Sequence, residues 1–119
     1  MMQYIPSHQL IVDVSDRKLY AGGRSFNIVA NSKLTPRGSF SIETINYNAT
    51  MKTPLGKLLG PASFGGIIIQ LEEAASQVAL HSWGFLRENE ESSGCIRMSA
   101  ADIDFLIKNY YFNKVLVVD

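Results

Sequence analysis

The chain has 119 residues, of which 46% are hydrophobic and 18% are charged. This length and composition predict one globular domain, residues 1–119, with one continuous core. Eleven basic residues balance eleven acidic ones, so charge gives no reason to expect nucleic acid or an anionic membrane surface as a partner. The longest apolar run, residues 65–71, is too short to cross a bilayer, so we expect no membrane insertion.

Cysteine and histidine usage narrows the chemistry. The single cysteine, Cys95, cannot form an internal disulfide, and with only two histidines the chain has too few soft ligands for a structural zinc site. We therefore predict no metal and no cofactor. Residues 1–10 show no basic stretch leading into an apolar one, so the sequence predicts either earlier removal of a signal or export by another route.

The first half of the chain predicts strands. Gln9–Val14 is apolar, and Ser25–Ala30 places alternate residues on one face. The glycines of residues 21–24 suit a hairpin turn between them. A third strand, Ser39–Thr44, follows the turn sequence Thr35-Pro36-Arg37-Gly38.

The second half predicts two buried strands and one helix. Residues 45–65 have no sustained period and are interpreted as loops and short irregular pieces. Gly66–Leu71 and Val78–His81 are the predicted strands, with His81 closing the second. Ser99-Ala100-Ala101-Asp102 resembles a capping box that opens a helix over Ala100–Tyr110, and Val115–Val118 predicts a last strand. The fold class is therefore mainly β, a curved sheet or sandwich with one α-helix in the C-terminal half.

The residues that carry chemistry are His81 and Cys95. A thiol with a reference pKa of about 8.5 needs an imidazole or a cationic environment to become a nucleophile, and His81 is the candidate base. Gly94 permits a sharp turn that presents the sulfur, and backbone N–H groups there are candidates for an oxyanion hole. Ser82 or a backbone carbonyl is expected to orient the imidazole.

These residues resemble the catalytic domain of L,D-transpeptidases. His81 followed by Ser92-Ser93-Gly94-Cys95-Ile96-Arg97-Met98 is similar to the family's histidine and Ser-His-Gly-Cys-Ile-Arg-Met signature. Weaker support comes from Lys18-Leu19-Tyr20, from Thr35-Pro36-Arg37-Gly38 before Phe40, and from the helix after the cysteine. The order also matters, because papain-like and NlpC-like peptidases place cysteine before histidine.

Two departures from the family pattern mark a variant site. Ser93 stands where the family has a second histidine, and the gap between His81 and Cys95 is shorter than usual. Such a form also resembles the L,D-transpeptidase-like toxins delivered by type VI secretion, a branch that would imply a cognate immunity protein as a partner.

The resemblance implies a cysteine acyltransferase that modifies peptidoglycan. Cys95 would attack a stem tetrapeptide after its third residue and release D-alanine, and cross-linking, D-amino-acid exchange or hydrolysis as an L,D-carboxypeptidase would follow. The expected location is the periplasm or cell wall. The alternative is a binding module that keeps the fold while Ser93 marks a decayed site.

Three side chains are candidates for substrate binding, each with a structural alternative. Arg97 either holds a substrate carboxylate or shapes the cysteine loop through a salt bridge. Ser93 either contacts substrate or belongs to ordinary loop chemistry, and Trp83 either walls the cleft or completes the core. The acidic residues Glu88, Glu90 and Glu91 form a solvated run, with a role in receiving a cationic amine as the alternative.

Overall fold

A computed structural model describes residues 3–4, 8–52, 55–72, 79–84, 86–87, 90–92 and 94–119. The predictions for Ser93, Glu88 and the start of a strand at Val78 therefore lie outside the described residues. The strands are β1 (Gln3–Tyr4), β2 (Gln9–Asp13), β3 (Lys18–Ala21), β4 (Arg24–Asn27), β5 (Gly38–Asn46), β6 (Met51–Lys52), β7 (Leu58–Leu59), β8 (Ile68–Leu71), β9 (Ala79–Trp83), β10 (Ile96–Ser99), β11 (Tyr110–Tyr111) and β12 (Lys114–Val118). The helices are α1 (Pro61–Phe64) and α2 (Ala100–Asn109).

One mixed, eight-stranded sheet dominates the described structure and confirms the mainly β prediction. Its order is β10-β9-β8-β5-β12-β2-β3-β4. The last strand, β12, lies in the middle, antiparallel to β5 and parallel to β2. A run of β-branched residues suits this position, since Val115 and Val117 both point into the core.

The two edges of the sheet meet at one point. Beyond the end of β4, Val29 forms an isolated antiparallel bridge with Arg97 of β10. Their backbones exchange two hydrogen bonds of 2.8 and 2.9 Å. The sheet thus curls into a nearly closed barrel, and its closure lies within the segment that carries the candidate nucleophile.

The N-terminal strands form a three-stranded meander and correct one prediction. The glycine turn at Gly22-Gly23 joins β3 to β4, whereas we expected it to join the strand at Gln9 directly to the strand at Ser25. The alternating residues Leu19 and Ala21 of β3 are buried in the core. The four-residue length of β3 made this alternation too short to identify from the sequence.

Two further predictions about strands need correction. His81 does not close its strand, because β9 continues to Trp83 and pairs along its length with β10. Strand β10 itself was not predicted, although Ile96 and Met98 are fully buried at alternate positions. The predicted irregular region does contain short pieces, namely the β6–β7 hairpin and the single turn of α1.

Helix α2 confirms the prediction of a helix capped by Ser99, and it packs on the core of the sheet. Ser99 is its N-cap, and the Ser99 hydroxyl accepts a hydrogen bond from the backbone of Asp102 at 3.1 Å. Ile103 and Leu106 are fully buried, and the helix contacts β9 and β10. It thereby supports the two strands that carry His81 and Arg97. Within the described ranges, no helix is long and apolar enough to cross a membrane.

Candidate active site

His81 lies in the middle of β9 with its imidazole buried and its tautomer fixed. Its Nδ1 is 2.8 Å from the backbone carbonyl oxygen of Ser82. A carbonyl oxygen can only accept a hydrogen bond, so Nδ1 carries the proton and donates it. The other ring nitrogen, Nε2, therefore holds the lone pair that a general base needs.

Ser82 supports the imidazole through its backbone and not through its hydroxyl. The Ser82 hydroxyl accepts a hydrogen bond from the backbone N–H of Ile67 at 3.0 Å and donates one to the Ile67 carbonyl at 3.3 Å. Both bonds link β9 to the residue that precedes β8. Of the two orienting groups predicted for His81, the structure has the backbone carbonyl in contact with the ring.

Two aromatic rings surround the imidazole and keep water away from it. Trp83 lies 5.6 Å and Phe64 lies 6.4 Å from the His81 ring, centroid to centroid, both in edge-to-face contact. The pKa of His81 is lowered to about 4, mainly by burial and to a smaller extent by the charge of Arg97, while the hydrogen bond to Ser82 opposes this change. At neutral pH His81 is therefore a neutral imidazole that keeps its Nδ1 proton.

Cys95 lies on the neighbouring chain segment, at the same face of the sheet. In the parallel pairing of β9 and β10, Arg97 is opposite His81 and Ile96 is opposite Leu80. Continuing this register by one residue brings Cys95 opposite Ala79. Because alternate residues of a strand share a face, Cys95, Arg97 and His81 lie on the side away from the buried Ile96 and Met98.

The Cys95 thiol is partly buried, and this changes its ionisation. Burial raises the pKa of the thiol, while a hydrogen bond with the backbone of Ala79 and the charge of Arg97 oppose the rise. Together with the lowered pKa of His81, this leaves a neutral thiol and a neutral imidazole on the same face of the two strands at neutral pH.

The turn before Cys95 depends on Gly94 and Ser92. Gly94 has φ of +124°, a conformation that favours glycine. The buried Ser92 hydroxyl accepts a 3.1 Å hydrogen bond from the Gly94 backbone N–H and donates to the Cys95 carbonyl. The Gly94 amide thus closes the turn, and an oxyanion hole formed by backbone N–H groups there stays a prediction.

A second loop, residues 31–35, forms hydrogen bonds to the loop that leads to Cys95, called here the cysteine loop. The buried Thr35 hydroxyl donates to the Gly94 carbonyl at 2.9 Å, and Asn31 Nδ2 donates to the Ser92 carbonyl at 2.7 Å. Thr35 also accepts a 2.8 Å hydrogen bond from the Asn31 backbone. Sequence reasoning missed Asn31, Thr35 and Ser92 as site residues, although the turn sequence that begins at Thr35 was the available signal.

Arg97 makes contacts in three directions. Its Nη1 pairs with the Glu90 carboxylate at 3.1 Å, and its guanidinium lies 4.2 Å from the centre of the Trp83 ring. Its backbone closes the sheet through Val29. The salt bridge anticipated as the structural alternative for Arg97 is therefore present, and Trp83 contacts both this cation and the His81 ring.

Within the described part of the chain, no three His, Cys, Asp or Glu side chains come together as a metal-binding group. The site residues instead form a base, a thiol and a partly buried cation on one face of two parallel strands. This arrangement is suited to acyl transfer through a covalent intermediate.

Comparison with known proteins identifies the family. A family model of the L,D-transpeptidase catalytic domain matches residues 7–118. A comparison with curated proteins found no significant match. Among solved structures, an L,D-transpeptidase from Mycobacterium smegmatis has a TM-score of 0.68 at 17% identity, over 93% of this chain and 58% of that one.

Two further structures have the same fold. L,D-transpeptidase 3 from Mycobacterium tuberculosis, solved with a faropenem-derived adduct, gives a TM-score of 0.75 at 14% identity, over 93% of this chain and 60% of that one. A mutant L,D-transpeptidase from Enterococcus faecium gives a TM-score of 0.75 at 17% identity, over 96% of this chain and 50% of that one. The chain thus spans between 50% and 60% of the length of these neighbours. On the match over residues 7–118, the chain belongs to the L,D-transpeptidase catalytic-domain family.

Proposed function

We propose that this chain is a cysteine acyltransferase that acts on peptidoglycan stem peptides, with Cys95 as nucleophile and His81 as general base. The observation that carries the proposal is the fixed tautomer of His81. Its Nδ1 proton is held by the Ser82 carbonyl at 2.8 Å, which leaves Nε2 as an acceptor on the face that Cys95 shares. Nucleophile, base and orienting group are the three parts that activated cysteines use.

The proposed reaction has two halves. In acylation, the thiol proton moves to His81 Nε2 while sulfur bonds to the carbonyl carbon of the third stem residue. The C–N bond to D-alanine then breaks, and the departing amine takes the proton from His81. In deacylation, an amine or water attacks the thioester carbonyl, gives up a proton through His81, and restores the Cys95 thiol.

The acceptor decides among three outcomes. An amine from a neighbouring stem gives a cross-link, a free D-amino acid gives exchange, and water gives L,D-carboxypeptidase activity. We propose the cell wall or periplasm as the place of action. Substrate binding by Arg97, Trp83 and Ser93 remains a prediction. So does the assignment of residues 1–119 to a single catalytic domain. An immunity protein also remains a predicted partner.

Intact-protein mass spectrometry tests the proposal directly, because Cys95 is the only thiol. Incubation with a stem tetrapeptide should add the mass of the peptide minus its terminal D-alanine. A pentapeptide should react poorly, since the proposed bond follows the third residue. Cys95→Ala is the matched control and should show no adduct.

β-Lactams provide a second probe of the same thiol. One structural neighbour carries a faropenem-derived adduct, and another was solved with imipenem. We propose that a carbapenem acylates Cys95 here as well. If neither tetrapeptide nor carbapenem forms an adduct and no D-alanine is released by the folded chain, the binding-module alternative becomes the better account.

A further inference from the structure

Glu90 is fixed at both its side chain and its backbone, in the loop that leads to Cys95. Its carboxylate Oε1 is 3.1 Å from Nη1 of Arg97. Its backbone carbonyl accepts a hydrogen bond from Arg17 Nη1 at 2.5 Å. These contacts join Glu90 to the start of β3 on one side and to β10 on the other, so its position is set by two separate parts of the fold.

The Glu90 carboxylate ends a chain of contacts that reaches His81. Arg97 pairs with Glu90 and stacks on Trp83 at 4.2 Å, and Trp83 in turn meets the His81 ring at 5.6 Å. Among the described residues, Nε of Arg97 is buried without a hydrogen-bond partner. The ion pair with Glu90 is therefore a polar contact that helps to fix the position of the Arg97 guanidinium.

The ion pair also sets the charge beside the nucleophile and base. The positive charge of Arg97 lowers the pKa of both His81 and Cys95. The side chains of Arg97 and Glu90 are only 15% and 32% exposed, so solvent screens their charges less than it screens a surface pair. The Glu90 carboxylate therefore carries an opposite charge next to the cation that acts on His81 and Cys95.

In the described chain, the charged or titratable groups in contact with or acting on this point include Arg17, His81, Cys95 and Arg97, and the Arg87 carbonyl accepts a hydrogen bond from the Glu90 backbone N–H. Glu91, the next residue, makes a different contact, because its carboxylate accepts a hydrogen bond from the Ser32 hydroxyl at 2.8 Å. The two adjacent glutamates therefore make different contacts, and only Glu90 pairs with the cation of the site.

We propose that Glu90 is a positioning residue for the acyl-transfer reaction, which holds the Arg97 guanidinium over Trp83 and offsets its charge at Cys95 and His81. This inference rests on the proposed function for its role in catalysis. Its electrostatic part does not, because the ionisation of Cys95 can be followed without any substrate.

The test is the pH dependence of Cys95 alkylation by iodoacetamide, followed by intact mass on the full chain. Glu90→Gln keeps an oxygen that Arg97 can donate to but removes the negative charge. The alkylation profile should therefore shift to lower pH, with a rate at neutral pH on the order of threefold higher. Arg97→Gln should shift the profile to higher pH.

The double variant separates positioning from a general effect on the loop. If Glu90 acts partly by positioning Arg97, Glu90→Gln should shift the profile less when Arg97 is already glutamine than it does in the unmodified chain. Glu91→Gln removes an equal charge from the neighbouring residue and should match the unmodified chain. Glu90→Asp, which keeps the charge, should lie closer to the unmodified chain than Glu90→Gln does.

Two results would overturn the inference. One is an alkylation profile of Glu90→Gln that matches the unmodified chain or moves to higher pH. The other is a shift by Glu90→Gln of equal size when Arg97 is already glutamine. If Arg97→Gln does not fold, the His81 imidazole titration followed by NMR in Glu90→Gln and Glu90→Asp decides instead, and only Glu90→Gln should lower the imidazole pKa. If the variants give the expected profiles but the unmodified chain does not react with tetrapeptide, the proposed function is wrong and the electrostatic inference still holds.

Discussion

The strand that carries His81 and the loop that carries Cys95 are stabilised in different ways. His81 belongs to β9, which is hydrogen-bonded on both sides, to β8 and to β10. Its ring is enclosed by Phe64 and Trp83. His81 is therefore placed by the same sheet pairing and apolar packing that stabilise the described structure.

The position of Cys95 depends instead on polar contacts between loops that are distant in sequence. Ser92 and Gly94 receive hydrogen bonds from Asn31 and Thr35, about 60 positions earlier in the chain. These contacts add little apolar burial, yet they set the backbone that presents Cys95. We expect changes on the His81 side to alter stability as well as activity, and changes in the cysteine loop to act more on activity.

Replacement of His81 or Cys95 should have the largest effect. His81→Ala and Cys95→Ala should each reduce D-alanine release from tetrapeptide by about 10³-fold or more, because nucleophile and base act as a unit. The double variant should lose no more than either single one. Ser93→Ala should cost less, and a Ser93 variant as inactive as Cys95→Ala would mean that the base or its support is misassigned.

The next largest expected effect is a pH dependence of the free energy of unfolding that comes from His81. The folded pKa of about 4 lies below the reference value of about 6.5, so the folded chain favours the neutral imidazole. The corresponding stability is present above pH 6.5 and is lost as pH falls towards 4, by about 3 kcal/mol. Urea unfolding at pH 7.5 and pH 4 measures this loss.

His81→Gln provides the comparison, since the remaining groups still titrate in it. Its free energy of unfolding should fall less between pH 7.5 and pH 4 than that of the unmodified chain. The acid limb of kcat/KM for Cys95 acylation should lie near pH 4 and not near pH 6.5, because it reports the base of the free enzyme. Identical pH dependence of stability in both chains would contradict the burial of this imidazole.

Local patterns predicted the elements that local chemistry determines. The capping residue Ser99 predicted the helix that follows it. Alternation through Phe40 and Ile42 predicted the strand that the structure has as β5. Strands β3 and β10 were missed because each offers only four residues of pattern. Strands β4 and β8 have the same length, but they lie within or overlap longer alternating or apolar runs, Ser25–Ala30 and Gly66–Leu71, and these runs made them recognisable.

The site divides in the same way. His81, Gly94, Cys95 and Arg97 were predicted because their signature is contiguous or nearly so. Ser92 stands in the same signature, but its hydrogen bonds to the Gly94 amide and the Cys95 carbonyl form only in the folded turn. Asn31 and Thr35 were not predicted, because their contacts depend on how the sheet curls until Val29 reaches Arg97. That closure is a property of the whole barrel, and sequence spacing does not encode it.

Gly94→Ala should distort the cysteine loop at a moderate cost. At φ of +124° an alanine is strained, and the strain is about 1–3 kcal/mol. We expect a loss of stability in this range and a tenfold or greater loss of acylation rate, since the backbone must shift next to the sulfur. Gly23→Ala is the control, because its added Cβ would meet nothing within 4 Å, and it should leave acylation unchanged.

Thr35→Val should give the smallest of these effects and tests the loop contact most directly. Valine keeps the shape of threonine but removes the hydroxyl that donates to the Gly94 carbonyl and accepts from the Asn31 backbone. Leaving these partners unsatisfied in a buried place costs about 1–3 kcal/mol. Thr44→Val, at an exposed position of β5, is the matched control and should stay within about 0.5 kcal/mol of the unmodified chain. Because the lost bond holds Gly94, the acylation rate of Thr35→Val should fall even at temperatures where circular dichroism shows the chain fully folded. An unchanged rate in the folded variant would mean that Ser92 alone suffices to hold the turn before Cys95.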